Sequence, residues 1–525
     1  MDNANRLPFG DPDGARALLE DVLDGFVEFE NDPVWGGISA NPSNRNIRVF
    51  VGKKGAGKTV YLRYFQDSTR AENAIFSAGV EEDTPSTEFI RTFSEYFNSE
   101  SLTESWRLAW RSALLCSLAS HLLYKKYFKD YLSDKDRNDL LKFQDLLCSS
   151  QYPQSPYSEL TRIISSIPDR DHFNTFISRN DWHGFQSILS DLLKKCPPIF
   201  FYIDAVDEEF SHAPMEWLRC QKGLFYAVMR LLRVGTSIGG RFHIVIAIRD
   251  IVLSSVLQSE HAGRYRNTPH ICKLNWNEKS IAHFFNKKIE RLSSNYFSNK
   301  GEKTLESFLG LKKIVNLNRG ISEEPMSYLL RHTRLIPRDI VELGNALAEA
   351  KLRKNSGYFT NSDEWEAEVR RCVSICSRRF AEDQLTICGN QIASFDAPQR
   401  SGMHRYSEFY TSTEEYIETR SKDLIDAIND IGKDLINNSE LSSAEEGIKT
   451  AIGESHYDVL SILWQNGMLG YKSPVNEKYY EFYTLSDNDE FLLPRDKDSY
   501  VLHSCLLDLC DLRVVTKIPV KQRPF

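Results

Sequence analysis

The sequence predicts an α/β fold built on a parallel sheet, elaborated by a helical insertion, a helical lid and a C-terminal module. Three observations predict it. An apolar, β-branched run containing Ile47, Val49, Phe50 and Val51 leads directly into a glycine-bearing turn and then a helical pattern. A second apolar run, Ile199-Phe200-Phe201-Tyr202-Ile203, stops on Asp204 and is followed by Asp207, Glu208 and Glu209. A third, Phe242-His243-Ile244-Val245-Ile246-Ala247-Ile248, ends in Arg249 and Asp250. Short, nearly continuous apolar runs of this kind suit strands buried on both faces of a parallel sheet.

The bulk composition bounds the function classes. A chain of 525 residues, 41% of them hydrophobic, can bury several cores. Its 65 Lys and Arg against 73 Asp and Glu give a formal charge of -8, the wrong sign for a protein whose whole surface grips nucleic acid. The opening MDNANRLPFGDPDG has neither the basic nor the apolar region of a secretory signal. No run approaches the roughly 18 apolar residues of a spanning helix. Ten cysteines are scattered without a CxxC pair, so reduced thiols and a cytoplasmic location are expected. His503, Cys505 and Cys510 form the nearest approach to a metal cluster, and an apolar helix with ordinary buried cysteines explains them as well.

The turn after Val51 is Gly52-Lys53-Lys54-Gly55-Ala56-Gly57-Lys58-Thr59, which fits GxxxxGK[ST] at every fixed position in the strand–loop–helix setting that the motif needs. Glycines let the backbone fold back so that successive N–H groups surround a phosphate, and the helix starting near Lys58 adds its positive end. Lys58 is the cation for the β- and γ-phosphates, Thr59 supplies a hydroxyl to magnesium, and Val60 closes the binding segment. Lys53 and Lys54 belong to the loop but are less informative. Asp204, at the end of a buried strand, is expected beside this loop as a second holder of the magnesium shell. Glu208 or Asp207 is then placed to orient or deprotonate the attacking water. The segment Asn286-Lys287-Lys288-Ile289 lacks the final acid of the guanine-reading [NT]KxD motif, so ATP is expected in preference to GTP.

On these residues, about 47 to 350 resemble the STAND-type signalling ATPases, relatives of the AAA+ P-loop proteins. Four apolar residues, Asp204, two residues and then Asp207-Glu208 look like their second acidic motif. The resemblance implies a sensor strand at 241–250, with Arg249 or Asp250 near the γ-phosphate. It implies an arginine, Arg264 or Arg266, reaching a neighbouring subunit's site. Leu335-Ile336-Pro337-Arg338-Asp339 is similar to the opening of a lid helix, with Arg338 as the second sensor. Many AAA+ proteins have adjacent Asp-Glu where Ala205 and Val206 intervene here, which puts the chain nearer the STAND side.

The expected organisation is an N-terminal helical segment over 1–46 and a core over 47–275 with a helical insertion at about 81–195. A helical lid over 276–355, a helical linker over 356–439 and a winged-helix-like module over 440–525 follow. In the insertion, Trp106, Leu108, Trp110, Leu114, Leu115, Leu118 and Leu122 recur at helical steps and read as internal packing. CSSQYPQSPYSE reads as a loop. In the tail, HYDVLSILWQNGMLGY reads as a helix, KYYEFYTL and FLLP as hairpin strands, and YVLHSCLLDLCDL follows them. The groove-entering helix lacks the Arg, Lys or Asn set for base contact, which favours a protein-contacting or autoinhibitory wing. The resulting expectation is a magnesium-dependent ATPase acting as a switch, homo-oligomeric, with a separately encoded effector partner. By resemblance alone, its setting is bacterial antiphage defence. The alternative is a DNA-associated ATPase using the tail as a DNA-binding winged helix.

Overall fold

The computed structural model describes residues 7–18, 20, 27, 46–70, 75–81, 87–97, 101–147, 152–204, 214–232, 238, 240–259, 262–266, 268–297, 302–400, 413–453, 458–473, 480–483 and 492–516. They divide into two compact units, one of Glu30–Gly52 and Lys58–Lys273, the other of Met1–Phe29, Lys53–Gly57 and Leu274–Phe525. Among the described residues, no helix is long and apolar enough to cross a membrane.

The first unit is α/β. Its five strands, β1 (Val49–Gly52), β2 (Phe76–Glu81), β3 (Ile199–Asp204), β4 (Phe242–Arg249) and β5 (Ile271–Lys273), form one sheet in the order β2-β3-β4-β1-β5. Every neighbouring pair is parallel. All residues of β1, β3 and β4 are buried, which is why these strands read as unbroken apolar runs rather than as alternating ones. In a parallel sheet the strand ends share an edge, and here Gly52 is registered on Arg249 while Asp204 is registered on Ala247. Gly52, Asp204 and Arg249 therefore sit along one edge of the sheet. Near the opposite edge, Arg48 lies 2.7 Å from His243 Nδ1, and burial together with that guanidinium pushes the imidazole down to about 3.

Helix α1 (Lys58–Arg70) follows β1 and buries Tyr61, Leu62 and Phe65. Phe50 of β1 meets Phe65 edge-on at 4.9 Å. Between β2 and β3 the chain runs through helices that include α2 (Leu102–Tyr124) and α3 (Pro156–Ser165). The expected Trp and Leu stripe of α2 is buried throughout save Leu108, which is half-buried. The proline-bearing stretch is not a loop to its end: Ser155 accepts from the Ser158 N–H, Pro156 takes the first helical position, and α3 begins there. Helix α4 (Pro214–Leu231) packs on α2, and the Trp110 indole N–H donates to the Cys220 carbonyl at 3.1 Å.

In the second unit, the segment read as an all-helical lid also contains a two-stranded antiparallel hairpin, β6 (Ile314–Asn316) and β7 (Ile321–Glu323). Its residues are too few and too polar to give a strand pattern. Helix α5 (Pro337–Asn355) starts with proline at its first turn, as expected. The buried Phe9 packs against Phe285 and Phe308 at 5.8 Å each, and its N–H donates to the Asn345 side chain of α5 at 2.9 Å. Helices α6 (Ser362–Arg400) and α7 (Thr413–Ile431) follow.

The tail forms a four-stranded antiparallel sheet, β10-β9-β11-β8, from β8 (Leu435–Asn437), β9 (Leu469–Lys472), β10 (Tyr480–Phe482) and β11 (Ser499–Leu502). Helix α8 (Val459–Gln465) precedes β9. One expectation is corrected here. The helix ends at Gln465, because Gly467 at φ 72° turns the chain into β9. Strand β11 leads into the short helix α9 (Cys505–Leu509). Leu492–Pro494 of FLLP is outside any strand. His503, Cys505 and Cys510 are core residues, and burial pushes the His503 imidazole down to about 3 and the Cys510 thiol up to about 12.

The α2–α4 contact allows no added atom at Gly223. A methyl there would come within 2.5 Å of Trp106 Cβ and 2.8 Å of its backbone carbonyl carbon. Gly223→Ala is expected to lower stability by about 1–3 kcal/mol through overpacking. A denaturation midpoint equal to that of the parent chain would contradict this helix contact.

Candidate functional site

The segment Gly52–Thr59 joins β1 to α1 with the backbone that its glycines predict. Gly55 and Gly57 have φ of 85° and 89°, a region that side-chain-bearing residues rarely adopt. Between them, the Ala56 N–H closes a turn onto the Lys53 carbonyl at 3.1 Å. Two carbonyls of the turn are held by residues of the second unit: Gly55 accepts from the Arg338 N–H at 3.3 Å, and Ala56 accepts from the Trp276 indole at 2.9 Å. A planar trans peptide points its N–H opposite to its C=O, so the Gly57 N–H faces away from Trp276. Lys53 is half-buried and Lys54 exposed.

In the first unit, Lys58 opens α1, and its ammonium donates to the Gly52 carbonyl at 3.1 Å. The next residue, Thr59, donates its hydroxyl to the Asp204 carboxylate across 145 residues of chain. Val60 continues the first turn of α1. Asp204 is 4% exposed and ends β3. A buried carboxylate needs hydrogen-bond donors or a cation to offset lost hydration. Thr59 is one donor, and a hydroxyl beside a carboxylate is also a hard-oxygen pair of the type magnesium takes. Within the first unit, the Lys58 ammonium at the Gly52 carbonyl thus stands one residue from a hydroxyl–carboxylate pair, Thr59 with Asp204.

Of the two sensor-strand candidates, Arg249 is the last residue of β4, buried and registered on Gly52. Asp250 begins the following helix. Asp207 and Glu208 lie outside the described residues. Arg264 and Arg266 are exposed on either side of buried Tyr265, whose ring stands edge-on to Phe225 at 5.1 Å.

In the second unit, Arg338 is the second residue of α5, and its Nε donates to the Pro12 carbonyl at 3.4 Å. The start of α5 is fixed by a buried ion pair, Arg334 with Asp339 at 2.6 Å, and by Leu335, a non-glycine residue at φ 53°. Such strain persists only where surrounding contacts impose it.

Three residues near the site escape sequence reasoning. Trp276 and Ile336 back the loop, and Tyr157 of α3 donates its hydroxyl to the Asp204 carbonyl at 3.1 Å. None carries a local signature, because each is defined by a partner distant in the chain. The sequence matches no protein-family model and no curated protein.

The positive φ at Gly55 and the 2.9 Å approach of Ile336 Cδ1 to a methyl built there make one substitution decisive. Gly55→Ala is expected to destabilise the chain by roughly 1–3 kcal/mol, measured by chemical denaturation. Unchanged stability would mean that the loop does not adopt this backbone.

Proposed function

We propose that the chain binds ATP with magnesium on the Gly52–Thr59 loop and hydrolyses it as a conformational switch. The observation that carries the reading is the meeting of the Thr59 hydroxyl with the Asp204 carboxylate directly after a loop that fits GxxxxGK[ST]. In this reading the first unit is a P-loop core, and the loop N–H groups and the amino end of α1 receive the β-phosphate. Lys58 gives up its contact with the Gly52 carbonyl to bridge the β- and γ-phosphates. Thr59 and Asp204 hold the cation. Magnesium, when bound, neutralises charge that develops as the γ-phosphoryl group is transferred. Glu208 or Asp207 orients and deprotonates the attacking water, and Arg249, at the edge shared with Gly52 and Asp204, meets the γ-phosphate. Arg338 is the corresponding cation of the lid, and Arg264 or Arg266 serves a neighbouring copy in a homo-oligomer. The absence of the guanine-reading motif supports ATP as the nucleotide.

The second unit is read as lid and switch. Its tail is read as winged-helix-like from the order of β8, a helix at Asn438–Ala451, α8 and then antiparallel strands. The helix that a DNA reader would insert in a groove is α8, and Val459 to Trp464 are all buried in it. Its end is tied to α6 by side-chain amides, Gln384 to Asn466 at 3.0 Å and Gln391 to Gln465 at 2.9 Å. A covered, apolar helix supports an internal or protein-contacting role over the DNA-associated alternative. A separately encoded effector and a role in bacterial antiphage defence rest on family resemblance alone. ATPase stimulation by duplex DNA with a steep salt dependence would instead favour the DNA reading.

Lys58→Ala is expected to abolish ATP binding in calorimetry, because the phosphates lose their main cation. Glu208→Gln should keep binding while turnover falls by roughly 10². Undiminished affinity in Lys58→Ala would remove the loop reading. Wild-type rates in both Glu208→Gln and Asp207→Asn would remove the hydrolytic mechanism.

A further inference from the structure

Asp204 is held at two points. Thr59 engages its carboxylate, and Tyr157 engages its backbone carbonyl. The second contact comes from the helical insertion, which the proposed chemistry does not otherwise use. Tyr157 is 4% exposed, and its ring stands edge-on to Trp110 of α2 at 5.2 Å and 71°. It sits in the first turn of α3, where the Ser155 cap and Pro156 fix the backbone. The pairing of β2 with β3 ends at Glu81 with Ile203, so the Tyr157 hydroxyl meets the strand one residue beyond that ladder. Trp110 in turn donates its indole N–H to Cys220 of α4. The two edge-on aromatics of the insertion thus hold the chain at Asp204 and at Cys220.

We propose that Tyr157 is a positioning residue for Asp204, through which the helical insertion sets how tightly the Thr59–Asp204 pair holds a divalent cation. The inference rests on the nucleotide-site reading above. Its physical basis is backbone geometry: fixing the Asp204 carbonyl fixes the peptide plane at the strand end, and with it the direction of the Cα–Cβ bond from which the carboxylate reaches Thr59. A carboxylate already aimed beside the Thr59 hydroxyl loses less freedom when a cation arrives. Movement of α3 is passed to the end of β3 through this hydroxyl, which makes the insertion a point of control over cation affinity.

Tyr157→Phe removes the hydroxyl and keeps the ring on Trp110. The test uses the full chain and a non-hydrolysable ATP analogue, with affinity measured across a magnesium titration and again in EDTA. The magnesium needed for half-maximal tight binding is expected to rise about fivefold, the change that one lost buried hydrogen bond corresponds to. Affinity in EDTA should stay unchanged, since the loop itself is intact. Because Tyr157 acts through Asp204, adding Tyr157→Phe to Asp204→Asn should cause no further rise. An unchanged magnesium curve, a proportional weakening with and without metal, or additive effects in the double variant would each overturn the proposal while leaving the nucleotide site standing. A wild-type chain that binds the analogue under neither condition would overturn both.

Discussion

The structure turns on a carboxylate at the end of an apolar strand. Asp204 terminates β3, whose residues are all buried, so its charge leaves water as the sheet forms. That cost falls only if donors or a cation meet it. The parallel arrangement brings the first partner, because β1 delivers α1 and therefore Thr59 to the same edge of the sheet. The strand order, with β4 between β1 and β3, adds Arg249 along that edge. Gly52, Thr59, Asp204 and Arg249 are therefore gathered by one topological fact, that three buried parallel strands end together.

The loop itself depends on positions that tolerate no side chain. Gly55 and Gly57 take positive φ, and the carbonyls of Gly55 and Ala56 are occupied by donors from residues 276 and 338. Occupied carbonyls fix each peptide plane and hence where the N–H of the same plane points. The same logic recurs at the start of α5. The Arg334–Asp339 pair and the strained Leu335 fix the turn that presents Ile336 and the Arg338 N–H to Gly55. Backbone placement by buried contacts, rather than charge alone, is what each part of the site has in common.

What was legible in the sequence follows from this. Local signals sufficed for β1, the loop and α1, because glycine spacing and strand patterning lie within one short segment. The buried runs of β3 and β4 and the proline-led start of α5 were legible for the same reason. The β6–β7 hairpin was not, since Ile314–Asn316 and Ile321–Glu323 are each three residues long, and their burial runs against polarity, with Asn316 and Glu323 buried and Val315 exposed. In the tail, Tyr500-Val501-Leu502 runs on toward the apolar residues of α9, and pairing with β8 and β9 is what marks 499–502 as a strand. Tyr157 and Trp276 were invisible because their partners lie 47 and 220 residues away. Such contacts leave no periodicity in either segment.

The central claim, that nucleotide and magnesium bind where the loop meets Asp204, is tested most directly by amide hydrogen exchange with and without magnesium and ATP. The account predicts that protection rises in 52–60 and at the end of β3 around 203–204, that magnesium is needed for the second effect, and that GTP gives less of both. Protection that appears elsewhere, or no change over 52–60 at saturating nucleotide, would contradict it.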